Sequence, residues 1–252
     1  MRHARLWLSL TVSLLLIAGI TGAWAHHHQA LRNLHLPQTR TATLLLPGDG
    51  GNWLSLRSMT LTFDQPHVAT HSLTAHVTTA GQVHWTQLHP VKANNPVIPV
   101  LFADNTHPQR ESKQLGTVLT QLRQRYHITR VNLVGHSSGG TIALDYLHDT
   151  PTNAIQVRHL VCIGADFPHM SPLTHRYPHL RVLNIAGQIG AVTNDGEVPL
   201  KDAQQLASLV RGRVHSYRFT QIHGAIWQSE HSLLHESGAV DQAIATFLYP
   251  PS

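Results

Sequence analysis

Cysteine is nearly absent from this 252-residue chain: Cys162 stands alone. No disulfide can form within it, so a hydrophobic core has to hold the fold, and 42% hydrophobic residues over this length suffice for one large sheet. Lysine is almost as scarce, occurring only as Lys92, Lys113 and Lys201. Charged residues make up 12% of the chain and aromatics 6%, scattered without a basic stripe or interleaved aromatics. That distribution excludes nucleic acid as a partner. No Pro/Ser-rich or charge-block linker divides the chain and no repeat of fixed period runs through it, so one domain is expected over residues 36–252. The sequence also has no H-E-x-x-H and no Gly-rich loop followed by Lys-Ser/Thr. A zinc hydrolase and a phosphate-binding loop are therefore excluded, and no cofactor is implied.

Histidine is the abundant residue. The formal charge is +5 with every imidazole neutral, and protonation of the 22 histidines would add a charge each. Such a chain is suited to anionic cell-wall or membrane surfaces in acid surroundings. Its first 25 residues read as an address: Arg2 and Arg5 precede an uncharged run from Leu6 to Ile20, followed by Ala23-Trp24-Ala25. This is the pattern of a signal peptide cleaved before His26, and Leu6 to Ala25 is also long enough for a retained membrane anchor. Either places the rest of the chain outside the cytoplasmic membrane, as a secreted or surface-held protein. Residues 26–35, which open on His26-His27-His28, are expected to be a flexible His-rich segment.

From residue 40 onward short β-rich runs alternate with helical stretches, the signature of a mainly parallel sheet covered on both faces. Strands are predicted at Thr43 to Leu46, His71 to Val77, Gln82 to Leu88, Val97 to Phe102, Val131 to Val134, Leu160 to Ile163, Arg181 to Ile185 and Arg213 to Phe219. Helices are predicted around Leu115 to Leu122, over Ser138 to Leu147, Asp202 to Val210 and Val240 to Leu248. The Pro- and His-containing stretch from Ala165 to Pro178 is expected to form a small cap or lid.

Gly135-His136-Ser137-Ser138-Gly139 fits G-x-S-x-G and lies between a predicted strand and a predicted helix. A serine hydroxyl is a weak nucleophile, so it needs a sharp turn to expose it and a base within reach. Ser137 is the candidate nucleophile. The N–H of Ser138 is a candidate donor to an oxyanion, and Pro47-Gly48-Asp49-Gly50-Gly51 offers a second from Asp49, with Gly50 in reserve. The acid and the histidine should follow in that order after later strands. Asp195 is the first choice for the acid, ahead of Glu197, Asp202 and Asp166. His231 is the first choice for the base, with His235 and His223 behind it, because it follows the last strand at a distance that lets an imidazole return over the sheet edge.

These motifs, with Asn194-Asp195-Gly196-Glu197-Val198 and His231-Ser232-Leu233-Leu234-His235-Glu236, resemble a family of exported α/β-hydrolases of Gram-positive bacteria known as cell-surface hydrolases of unknown substrate. The likeness runs from about Thr43 to Leu248. It departs at Pro47-Gly48, where the family usually has His-Gly, and at Ser138, where Met or Gln is common. The resemblance implies the α/β-hydrolase fold and the triad Ser137, Asp195 and His231. The expected activity is serine-dependent cleavage of a small-molecule or lipid-like ester through an acyl-enzyme. An acyltransferase or amidase on the same triad is the alternative within catalysis, and a non-catalytic surface-binding protein the alternative outside it.

Overall fold

Alternate residues of the central strands enter two different cores, and this dictates a sheet with helices on both sides. The computed structural model describes residues 30–149 and 155–250. Nine strands form its sheet: β1 (Ala42–Leu46), β2 (Thr70–His71), β3 (Leu73–Val77), β4 (Val83–Gln87), β5 (Pro96–Phe102), β6 (Arg130–His136), β7 (Gln156–Ile163), β8 (Tyr177–Ile189) and β9 (Val214–Gly224). The order across the sheet is β4-β3-β5-β1-β6-β7-β8-β9, with β2 beside β5. All neighbours run parallel except β3 and β4, an antiparallel pair.

On β6 and β7, Leu133, Leu160 and Cys162 face one core, while Val134, Val161 and Ile163 face the other. The first core is closed by α2 (Pro108–Tyr126), α3 (Ser138–Asp149) and α5 (Leu206–Val210), the second by α1 (Trp53–Phe63) and α8 (Gly238–Leu248). Short helices α4 (Leu200–Ala203), α6 (Ile226–Ser229) and α7 (His231–Leu234) complete the connections. Helix α2 buries Leu115, Val118, Leu119 and Leu122 along one stripe. It starts on Pro108, whose missing N–H costs nothing there, and stops at His127 in the left-handed region. Helix α1 begins on Asn52, whose Oδ1 accepts from the Leu54 N–H at 2.8 Å while Ser55 Oγ accepts from the Asn52 N–H at 3.2 Å.

Two expectations change. The packed body begins before residue 36: Leu31 is fully buried in the second core, and the His35 and His67 rings stack 4.9 Å apart. The segment from Ala165 to Pro178 contains no helix and forms no separate cap. Phe167 and Leu173 sink into the first core, the Leu173 N–H donates to Leu209 O at 2.9 Å, and Thr141 Oγ1 donates to Asp166 O at 2.8 Å. A segment pinned at both ends in this way is a fixed wall. It faces Thr106 to Gln109 and the exposed side of α3 across a cleft of about 570 Å³. Among the described residues no helix is long and apolar enough to cross a membrane. The leader at residues 1–25 and the tract at residues 26–28 lie outside them.

Because β1, β5, β6, β7, β8 and β9 point the same way, their C-terminal ends share one edge. The Gly-rich loop, Ser137 and the loops carrying Asp195 and His231 all emerge there.

Candidate active site

Ser137 stands between the last residue of β6 and the first of α3 with φ of +52°, a backbone state that costs an ordinary side chain energy. Its N–H donates to Ile163 O at 2.8 Å, and its carbonyl accepts from the Gly140 N–H at 2.9 Å. The turn is possible because of the glycines around it. A Cβ on Gly135 would fall 2.2 Å from the Gly139 carbonyl carbon, and one on Gly139 would fall 2.5 Å from Leu46 O. The Ser137 hydroxyl is left partly exposed and without a partner among the described residues.

Asp195 and His231 meet at the same edge, both almost completely buried. Asp195 Oδ2 accepts from His231 Nδ1 at 3.0 Å. Its Oδ1 accepts from the N–H groups of Glu197 at 3.0 Å and Val198 at 2.7 Å, and its carbonyl accepts from the His231 N–H at 2.8 Å. A carboxylate only accepts, so the proton of the neutral imidazole is on Nδ1 and Nε2 is free to take one. Glu197 Oε2 lies 3.5 Å from that Nε2. Burial lowers the His231 pKa, but the Asp195 hydrogen bond and the charges of Asp195, Glu197 and Glu230 outweigh it, so the net shift is upward from 6.5.

His136 ties the elbow to this pair. Its Nε2 donates to His231 O at 3.0 Å, and its ring lies 4.8 Å from that of His231 and 4.2 Å from that of His235. Burial, then the neighbouring His235 and His231, hold its pKa well below 6.5. His136 therefore serves as a neutral donor. His235 is also buried, which lowers its pKa to about 4, and it packs against His136 instead of facing the edge. His223 is exposed on β9 and bonds Gly190 O at 2.8 Å. Of the reserve acids, Asp202 accepts from Gln205 at 3.0 Å, and the Asp166 carbonyl accepts from Thr141. The structure thus brings Asp195 and His231 together and leaves the side chains of Asp202 and His223 in other bonds.

The N–H groups of Asp49 and Ser138 have no hydrogen-bond partner among the described residues, whereas that of Gly50 donates to Asn105 O at 2.7 Å. Gly50 is accordingly removed as a reserve donor. Gly48 packs directly on the elbow, since a Cβ there would lie 3.0 Å from Ser137 Cβ. Asn105 belongs to no motif that the sequence shows.

Asp104, His107 and Glu111 have the spacing of metal ligands, with ligand atoms within 4.8 Å of one another. Arg110 stands in the cation's place: its Nη2 ion-pairs with Asp104 Oδ2 and lies 3.0 Å from His107 Nδ1. The cluster is a salt-bridged anchor for the start of α2.

Among curated proteins none matches this chain. Solved structures do. The product of a Listeria innocua gene is similar at 25% identity, covering 84% of this chain and 95% of that one with a TM-score of 0.74. A Lactobacillus plantarum protein with the provisional name of cell surface hydrolase is similar at 23% identity, covering 82% and 91% with a TM-score of 0.67. The RedJ thioesterase of the prodiginine pathway in Streptomyces coelicolor shares the fold at 10% identity, 83% and 89% coverage and a TM-score of 0.50. The family model described as an alpha/beta hydrolase of unknown function, DUF915, matches residues 33–177 and 173–250. The chain belongs to this α/β-hydrolase family.

Proposed function

We propose that this protein is an exported serine hydrolase that cleaves carboxylic esters through an acyl-enzyme. The buried Asp195–His231 hydrogen bond at the sheet edge where Ser137 is held in a left-handed turn carries this reading. Ser137 Oγ attacks the ester carbonyl as His231 Nε2 takes its proton, and the oxyanion receives the N–H groups of Asp49 and Ser138. Collapse of the tetrahedral adduct breaks the bond to the alcohol, which leaves with the proton from Nε2. Water then repeats the sequence against the acyl-serine and releases the acid. Asp195 holds the imidazole tautomer and balances the imidazolium charge. Exposed Ile226 and Trp227, on the helix just before His231, support an apolar or lipid-like ester as substrate. The leader pattern supports export, and the name of the Lactobacillus plantarum neighbour agrees with a surface location.

The test is labelling with a fluorophosphonate alongside hydrolysis of p-nitrophenyl butyrate. Ser137→Ala should lose the label and about a million-fold in kcat while keeping its thermal transition. Label or more than a few per cent of activity in that variant would place the nucleophile elsewhere, and an unlabelled wild type would leave a binding protein on a hydrolase scaffold.

A further inference from the structure

Asn105 lies just beyond β5, with 5% of its surface exposed, and its bonds go to the Gly-rich loop. Its Nδ2 donates to Gly48 O and, at 3.1 Å, to Gly51 O; its own carbonyl accepts from the Gly50 N–H at 2.7 Å. The Gly51 N–H adds a second bond to Gly48 O at 2.9 Å. The two carbonyls fix which way the amide faces, because rotating it would set Oδ1 against two acceptors. Oδ1 is itself buried and unpartnered, so the side chain gives up a hydrogen bond in order to hold this loop.

From these bonds we infer that Asn105 is the positioning residue of the oxyanion site. In a trans peptide the C=O of one residue and the N–H of the next point in opposite directions. Two donors, Asn105 Nδ2 and the Gly51 N–H, pull the Gly48 carbonyl to one side, and the Asp49 N–H is thereby turned to the other. That N–H is unpartnered, and the Gly48 Cα that precedes it packs against Ser137. The third bond engages the neighbouring donor: with its N–H on Asn105 O, Gly50 is withheld from the substrate. Asn105 thus selects which amide of the loop meets the developing charge, and it does so without touching the substrate. The inference rests on the serine-hydrolase reading.

The test separates the two. In the full chain, Asn105→Ala and Asn105→Ser should lower kcat about ten- to a hundredfold, below or near the cost of deleting an oxyanion donor outright. KM should stay within about twofold, since the ground-state carbonyl makes little use of the donor. The Ki of a trifluoromethyl ketone, which forms a charged adduct on Ser137, should rise in step with the fall in kcat/KM. In the wild type, the Asp49 amide should exchange quickly with solvent and become protected when the ketone binds, while the Gly50 amide is protected throughout. This measurement stands even if both variants fail to fold. Wild-type kcat in folded Asn105 variants, a Ki that does not follow kcat/KM, or ketone-dependent protection at Gly50 in place of Asp49 would each overturn the assignment. An active Ser137→Ala enzyme would instead overturn the assignment of Ser137 as nucleophile on which the inference rests.

Discussion

Replacing Asp195 with asparagine should cost the enzyme far more in rate than its loop loses in stability, and the reason is that the two oxygens of the carboxylate have different partners. Oδ1 holds the N–H groups of Glu197 and Val198, and Oδ2 holds His231 Nδ1. An amide has one oxygen, and the two loop donors claim it, because turning the NH2 towards them would set donor against donor. The NH2 then faces Nδ1, which must become an acceptor, and the imidazole proton moves to Nε2, the atom that should receive the Ser137 proton. By analogy with other triads, a wrong tautomer costs about 10⁴ in kcat, or about 5 kcal/mol of barrier. Stability falls much less. Two hydrogen bonds to a charged acceptor become bonds to a neutral one, a loss of about 1 kcal/mol each. Asp195→Ala abolishes both bonds and should be the less stable variant. Initial rates with p-nitrophenyl butyrate and urea unfolding at pH 8 read the two effects separately. An Asp195→Asn enzyme with more than about a tenth of wild-type kcat, or one less stable than Asp195→Ala, would refute the argument from tautomer selection.

The acid limb of kcat/KM should have its midpoint above pH 6.5, because His231 must be neutral to accept a proton and its pKa is raised from that value. Glu197→Gln should move the limb only slightly towards acid, since the Glu197 side chain is 64% exposed and its charge is screened; a wild-type midpoint below 6.5 would contradict the balance of charges around Nε2. For the leader, mass spectrometry of protein from the native host should find a chain beginning at His26. A chain still carrying Arg2, recovered with the membrane fraction, would establish an anchor instead.

Much of this fold is legible in the sequence where burial is symmetric. The central strands β1, β6 and β7 are buried on both faces and read as short apolar runs, and G-x-S-x-G between β6 and α3 announces the elbow. The outer halves of β8 and β9 were not legible. From Ala186 to Ile189 and Gln221 to Gly224 they pair only with each other and carry polar residues, so no apolar run marks them. The helix expected over Asp202 to Val210 is broken because Asn184 on β8 takes the Ala203 carbonyl at 2.8 Å. The Ala207 N–H, which a continuous helix would give to that carbonyl, bonds Gln204 O instead. Helix α1 had a readable signal in Leu56, Met59, Thr60 and Phe63, spaced for one face and all buried. Asp195 and His231 follow from chain order on a fold of this type. Asn105 could not be found that way, since its partners are backbone carbonyls 57 and 54 residues away, which no motif encodes.

Among the described residues strand β9 has one neighbour, β8, and its other edge presents eleven residues of backbone with no described strand beside it. A long open edge is a template on which a second chain can add a strand. Here the side chains guard against that: His215, Ser216, Arg218, Gln221 and His223 are exposed along it, and any strand docking there would have to strip water from an arginine and several polar groups. At Gln221 and His223 the polarity that disfavours edge-to-edge pairing is also what leaves the end of this strand without an apolar run.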